Sequence, residues 1–155
     1  MNTAAEIKAE LADDWLPLIY EQKVRSQRTR AFSLEVAKRE NHAEIQYTLL
    51  GIELKVGRRR FACPDLATAR YLRVFARVGC REFAVPYDIS QISGVADELE
   101  MSWQRCILLI DEGSKGDSAT AVRKAVVRSI RDELVAIGPG EPMPLFDRET
   151  RQRKP

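Results

Sequence analysis

The segment Leu66–Val78 constrains the fold of this chain more than any other part of the sequence. At 100° per residue its large apolar side chains fall on one side of a helix and its arginines on the opposite side. Asp65 before it is a helix-capping residue type, and Gly79 after it commonly ends a helix. The pattern therefore predicts an amphipathic helix that packs one face on a core. The arginines of its other face are Arg70, Arg73 and Arg77.

Short strands are predicted on both sides of this helix. Apolar side chains alternate in 43–50 and 52–56, with Gly51 as a tight bend, and 59–63 forms a third short strand before the helix. Residues 81–87 resume the alternation after it. A strand, a helix and a strand in one sheet form a parallel, right-handed crossover. The sequence thus predicts a small mixed sheet of about four strands, made of a hairpin and a βαβ crossover.

Helices are predicted towards both ends of the chain. Thr3-Ala4-Ala5-Glu6 has the spacing of a capping box, so a first helix should run from Thr3 to about Leu16. The composition of 18–39 favours a second helix, and 89–110 is helical in character, although its last five residues could equally form a buried strand. A final helix is expected over 118–137. The expected fold class is therefore α/β or α+β, with helices covering the sheet.

One domain is expected over residues 1–138. A chain of 155 residues lies within the usual size of one domain and buries enough surface to fold without a metal or a disulfide. Its expected parts are a helical N-terminal segment (1–39), the sheet with the crossover helix (43–87) and a helical C-terminal part (89–138). Residues 139–155 are rich in proline and are expected to form an extended basic tail.

Cysteine and histidine usage excludes several kinds of site. Cys63, Cys80 and Cys106 lie among apolar neighbours without the close pairing of a zinc site, which predicts buried, reduced thiols and a cytoplasmic location. His42 is the only histidine and is predicted to be a solvated loop residue. No apolar run approaches the length of a membrane span, and the acidic N-terminus does not resemble a secretion signal. No membrane association is therefore expected.

Charge is segregated along the chain although the net charge is only +2. The block 55–81 contains eight basic residues against one acidic residue, and the block 82–112 that follows is strongly acidic. The basic block is interpreted either as a surface for an acidic partner or as the complement of the acidic block within the molecule. Both interpretations remain open from the sequence.

The candidate binding site is an arginine-rich face. The arginine row on the predicted helix would lie beside a predicted turn that carries three consecutive arginines, and a planar guanidinium suits phosphate or carboxylate partners. The candidate binding residues are Arg58, Arg59, Arg60, Arg70, Arg73 and Arg77. The predicted function is a small non-catalytic binding or regulatory module without a cofactor, which could form a homo-oligomer. Its partner would be nucleic acid or an acidic protein surface.

An enzymatic alternative depends on Glu53-Leu54-Lys55. The order helix, three strands, helix, strand over residues 18–87, together with this E-x-K spacing, resembles the core of the PD-(D/E)xK nuclease family. Glu44 takes the place of the proline-aspartate that precedes E-x-K in that family. The resemblance implies a metal-dependent nuclease in which Glu44 and Glu53 would bind Mg²⁺ or Mn²⁺ and Lys55 would position water. The same residues also fit the polar face of an ordinary strand.

Overall fold

The computed structural model describes residues 3–140 and has an α+β fold. The helices are α1 (Ala4–Leu11), α2 (Leu16–Ile19), α3 (Leu66–Val78), α4 (Ile89–Gly113) and α5 (Asp117–Ile137). The strands are β1 (Thr29–Ser33), β2 (Ala43–Thr48), β3 (Gly51–Val56), β4 (Arg59–Cys63) and β5 (Glu82–Pro86). The α+β alternative is confirmed, with helices at both ends of the described chain. The part of the predicted tail that follows Gly140 lies outside the described residues.

The strands form two antiparallel sheets instead of one mixed sheet. A three-stranded sheet has the order β2-β3-β4, and a two-stranded sheet pairs β1 with β5. The predicted parallel crossover from β4 to β5 is therefore wrong. Its premise was that the strands on either side of α3 share a sheet, whereas β5 pairs with a strand from much earlier in the chain.

That earlier strand lies where a helix was expected. α2 continues through a π-helical turn, Tyr20–Val24, and ends there, so the predicted helix over 18–39 is wrong beyond this point. The residues Thr29–Ser33 instead form β1. Pairing with β5 places the ring of Phe32 5.7 Å from that of Phe83. This contact depends on a distant segment, which no local pattern in 18–39 reveals.

α3 has the predicted bounds, and its ends explain why. The Asp65 side chain accepts a hydrogen bond from the Thr68 amide at 2.7 Å. At the other end Gly79 has φ +75°, and a Cβ there would lie 2.4 Å from the carbonyl oxygen of Arg39. The apolar side of α3 is buried, and Phe75 stacks on Phe83 with ring centroids 4.0 Å apart. α3 is therefore held between capped ends, with its arginines directed away from this core.

The N-terminal helices join the same core through α4 and α5. Ile7 and Trp15 are buried, and the Trp15 indole donates a hydrogen bond to Glu133 of α5 at 3.0 Å. α1 contacts both α4 and α5. The three cysteines are buried and unpaired, as predicted, and residues 106–110 are part of α4, so the strand alternative for them is wrong.

Candidate functional site

The arginine row of α3, Arg70, Arg73 and Arg77, faces acidic side chains of α4. Arg70 forms an ion pair with Asp97, and the Arg77 guanidinium lies 2.9 Å from the Glu100 carboxylate. The three side chains are only 15–28% exposed. The row is therefore not free of partners within the molecule. The structure brings part of the basic block against the acidic block, which is the second interpretation of the charge pattern.

Arg73 is the least satisfied member of the row. Its Nη2 lies 4.0 Å from Glu100, too far for a hydrogen bond, and its buried Nε has no hydrogen-bond acceptor within the part of the chain that the structure describes. Burial lowers the pKa of Arg73, and the nearby Glu100 carboxylate opposes that effect. The side chain also lies within electrostatic range of Tyr47 on β2. The middle of the row therefore has an unused donor between α4 and β2.

A polar cavity of about 360 Å³ lies at the C-terminal end of the row. It is bordered by the start of β2, by Arg77 of α3, by Trp103 of α4 and by Arg123 of α5. The guanidinium carbons of Arg77 and Arg123 lie 5.5 and 5.7 Å from the centroid of the Trp103 ring. Arg123 is also held by Glu40, whose two carboxylate oxygens each lie 2.9 Å from its Nε, and this contact raises the pKa of Arg123. Both cations are therefore held in position against the Trp103 ring.

The turn between β3 and β4 carries the other predicted binding residues. We call Arg58, Arg59 and Arg60 the arginine turn, and all three are exposed. Arg59 lies 2.9 Å from Glu35, and Arg60 lies 3.7 Å from Glu53. Arg58 forms no ion pair within residues 3–140. The strand alternation sends Arg59 and Arg60 to opposite faces of the sheet, so the arginine turn spreads its charge around the end of the hairpin.

The end of the hairpin that carries the arginine turn is connected through residues 41 and 42 to Arg77, the last residue of the arginine row. The Gly57 amide donates to the carbonyl of His42 at 3.4 Å, and the adjacent Asn41 amide donates to the carbonyl of Arg77 at 2.9 Å. Two backbone hydrogen bonds thus connect the hairpin end to the end of the row. His42 itself is exposed and contacts Glu44 at 3.3 Å, which confirms its prediction as a solvated residue.

The residues of the nuclease alternative share the outer face of the three-stranded sheet. Glu44 lies opposite Lys55 in the register, and Glu53 is two positions earlier on β3. Hydrogen bonds with Gln46 and His42 hold the pKa of Glu44 below its usual range. Glu53 faces the Arg60 guanidinium at 3.7 Å, which opposes a bound cation.

These residues do not fit a divalent metal. No group of three or more histidine, cysteine, aspartate or glutamate side chains in residues 3–140 is arranged to hold a metal ion. The strand after α3 also joins the other sheet, in contrast to the topology on which the resemblance depended. The nuclease interpretation remains a prediction from the sequence that no feature of the site favours.

Comparisons with known proteins add no further assignment. The chain matches no family model, no curated protein and no solved structure. Within residues 3–140, no helix has both the length and the apolar character needed to cross a bilayer.

Two parts of the site were missed from the sequence. They are the Trp103 ring between two arginines and the position of β2 beside the row. The acidic partners of the row on α4 belong to one of the two interpretations of the charge pattern, and Asp97, Glu100 and Gln104 repeat the spacing of Arg70, Arg73 and Arg77. Nothing in the local sequence around Trp103 or Tyr47 indicates that arginines from elsewhere approach them.

Proposed function

We propose that this protein is a non-catalytic binding or regulatory module that presents an arginine-rich face to an acidic partner, either an acidic protein surface or nucleic acid. The observation that carries the proposal is the arginine turn, three consecutive exposed arginines. Arg58 among them has no carboxylate partner within the described chain.

The existing ion pairs of the arginine turn do not oppose binding. Arg59 and Glu35 are 63% and 80% exposed, and an exposed pair of this kind contributes about 0–1 kcal/mol. A partner with several phosphates or carboxylates therefore displaces such a pair at little cost. The half-buried row differs, because its ion pairs with α4 are part of the fold. We accordingly assign the first contact with the partner to the arginine turn. The predicted cytoplasmic location is consistent with this proposal and stays a prediction.

The test replaces all three residues of the arginine turn with glutamine. The probes are a fluorescein-labelled 20-residue polyglutamate and a labelled 20-nucleotide single-stranded DNA, measured by anisotropy over a salt titration. We expect one or both probes to bind the native protein and to bind the variant at least tenfold more weakly, with a smaller dependence on salt. The matched control replaces three exposed lysines outside this face, Lys23, Lys115 and Lys124, with glutamine.

The control separates a local surface from overall charge. Both variants lose three positive charges from exposed side chains, so neither should change the melting temperature appreciably. If the control weakens binding as much as the arginine-turn variant does, or if the native protein binds neither probe, the proposed function is wrong. The probe that binds more tightly at physiological salt identifies the class of partner.

A further inference from the structure

Every second residue of β2 directs its backbone N–H and C=O groups towards the outer edge of the sheet, and the register shows which residues these are. β2 pairs only with β3 in the described chain, so its other edge is open. The hydrogen bond from the Gly57 amide to the His42 carbonyl marks that pair as a hydrogen-bonded one. Because hydrogen-bonded pairs alternate along an antiparallel ladder, the even-numbered residues of β2 bond to β3. Ala43, Ile45 and Tyr47 therefore direct their N–H and C=O groups away from the sheet.

The edges of β5 and β4 are protected in ways that the β2 edge is not. The amide and carbonyl of Ala84 on β5 are bonded to the hydroxyls of Tyr20 and Tyr71 at 2.7 and 2.6 Å. β4 carries the charged end of the arginine turn and is followed by Pro64. The end of β2 and its turn are instead apolar and exposed, with Tyr47 71% and Leu49 106% accessible.

The arginine row lies beside this open edge. Arg73 is within electrostatic range of Tyr47, and the polar cavity borders both Ala43 and Arg77. Three arginines there share two carboxylates of α4, and the buried Nε of Arg73 has no acceptor within residues 3–140. A strand added to β2 would thus lie beside a row that has one more positive charge than its α4 carboxylate partners.

We propose that an extended acidic peptide segment of another protein adds to β2 as a fourth strand and directs its carboxylates towards Arg73 and Arg77. Main-chain hydrogen bonds to Ala43, Ile45 and Tyr47 supply the affinity, and alternate side chains supply the specificity. This inference rests on the proposed function and names its partner class. Acidic side chains at every second position would face the row, and apolar ones at the positions between would lie on the outer face.

A second copy of the chain fits this edge less well. Ala43, Ile45 and Tyr47 lie on the inner face of β2, because they are paired in register with Val56, Leu54 and Ile52 of β3. If two copies paired through β2, the copy would bring only these uncharged side chains to the inner face, and its own arginine row would approach the same region. The surplus positive charge therefore favours a carboxylate-bearing strand over self-association.

The test uses a labelled octapeptide of alternating aspartate and valine, and a neutral peptide with asparagine at each aspartate position. We expect the acidic peptide to bind the native protein and the neutral peptide to bind at least tenfold more weakly. Tyr47→Pro, which removes an outward-facing amide, should weaken binding at least tenfold. Ala62→Pro is the matched control, because Ala62 is an exposed residue whose amide faces outwards on the opposite edge of the same sheet. It should change binding less than twofold.

Hydrogen exchange on the native protein keeps the test independent of whether the proline variants fold. Bound peptide should slow exchange of the amides of residues 43, 45 and 47 and leave residue 62 unchanged. Unchanged exchange at the β2 edge would overturn the proposal. So would a native dimer that Tyr47→Pro dissociates, or single-stranded DNA that protects the same amides.

The outcomes also separate this inference from the proposed function. Polyglutamate or DNA binding that requires the arginine turn but is unaffected by Tyr47→Pro would overturn strand addition alone. Absence of binding by the octapeptide, polyglutamate and DNA together would overturn both.

Discussion

The hydroxyl of Tyr20 joins two distant parts of the chain. It donates to the carbonyl of Gly138 and accepts from the amide of Ala84, each at 2.7 Å, and burial raises the pKa of Tyr20 to about 12. Tyr20→Phe should lower the free energy of unfolding by about 1–3 kcal/mol, because it leaves a buried amide without an acceptor. Urea unfolding measures the change. The control Tyr47→Phe removes an exposed hydroxyl and should have almost no effect; equal effects would contradict a bridging role for Tyr20.

Glu100 makes stability depend on pH. Burial raises the pKa of its carboxyl group, but the hydrogen bond and charge of Arg77, with help from Gln104 and Arg73, outweigh burial and hold the pKa below its usual range. The unfolded chain therefore binds a proton at a higher pH than the folded chain does. The stabilisation is complete above the ordinary glutamate pKa of about 4.3 and is lost as the pH falls from there through the folded-state pKa.

Replacing Glu100 tests that dependence. Glu100→Gln should lower stability at pH 7 by about 1.5–3 kcal/mol, because it removes a charged hydrogen-bond partner. It should also flatten the loss of stability as the pH falls below the ordinary glutamate pKa of about 4.3. Urea unfolding at several pH values measures both effects. Glu98→Gln is the control, since Glu98 is an exposed residue on the same helix. A pH dependence that Glu100→Gln leaves unchanged would show that other carboxylates cause it.

At the scale of elements, the loss of charge should lower stability much more in the arginine row than in the arginine turn. Replacing the row with alanine leaves Asp97 and Glu100 of α4 without their partners and removes one cation from Trp103. If each of these three contacts contributes about 1 kcal/mol to the free energy of unfolding, the melting temperature should fall by about 6–12 °C. Replacing the arginine turn with alanine should lower it by less than about 2 °C. Circular dichroism melting curves measure both values. An unchanged melting temperature in the row variant would mean that these arginines are not part of the fold.

The helices and strands also show which elements a local sequence pattern can predict. α3 was predicted with its observed bounds, because its amphipathic period and both of its ends are encoded within fifteen consecutive residues. β1 was missed, because Thr29–Ser33 is a strand only when β5 lies beside it. For the same reason the charge pattern predicted the arginine row as a set but left open whether it pairs with the acidic block or faces a partner.

At the scale of the whole molecule, residues 3–140 should unfold as one cooperative unit. Trp15 lies just before α2 and Trp103 lies in α4, and both rings are buried. Trp15→Phe and Trp103→Phe each leave a single fluorescent reporter at one of these positions. Thermal unfolding followed by each reporter and by far-ultraviolet circular dichroism should give midpoints within about 2 °C of one another. An earlier transition at Trp15 would show that the N-terminal helices melt separately, against the prediction of one domain.

The sequence by itself determined the elements whose stabilising contacts are local, and the residues that supply positive charge. A helix bonds each residue to its near neighbours, and a short hairpin pairs neighbouring strands, so α3 and the meander of β2, β3 and β4 could be predicted. The buried state of the cysteines followed from their apolar neighbours in the same way.

Tertiary structure alone decided which distant segments meet. It paired β1 with β5, placed the acidic side of α4 against the arginine row, and left the β2 edge open beside Arg73. These contacts join residues that are far apart in the chain, and many alternative pairings satisfy the same local patterns. Only the packing of the complete core selects one of them, because burying the apolar sides of α3, α4 and α5 together leaves a single arrangement for the charged groups around them.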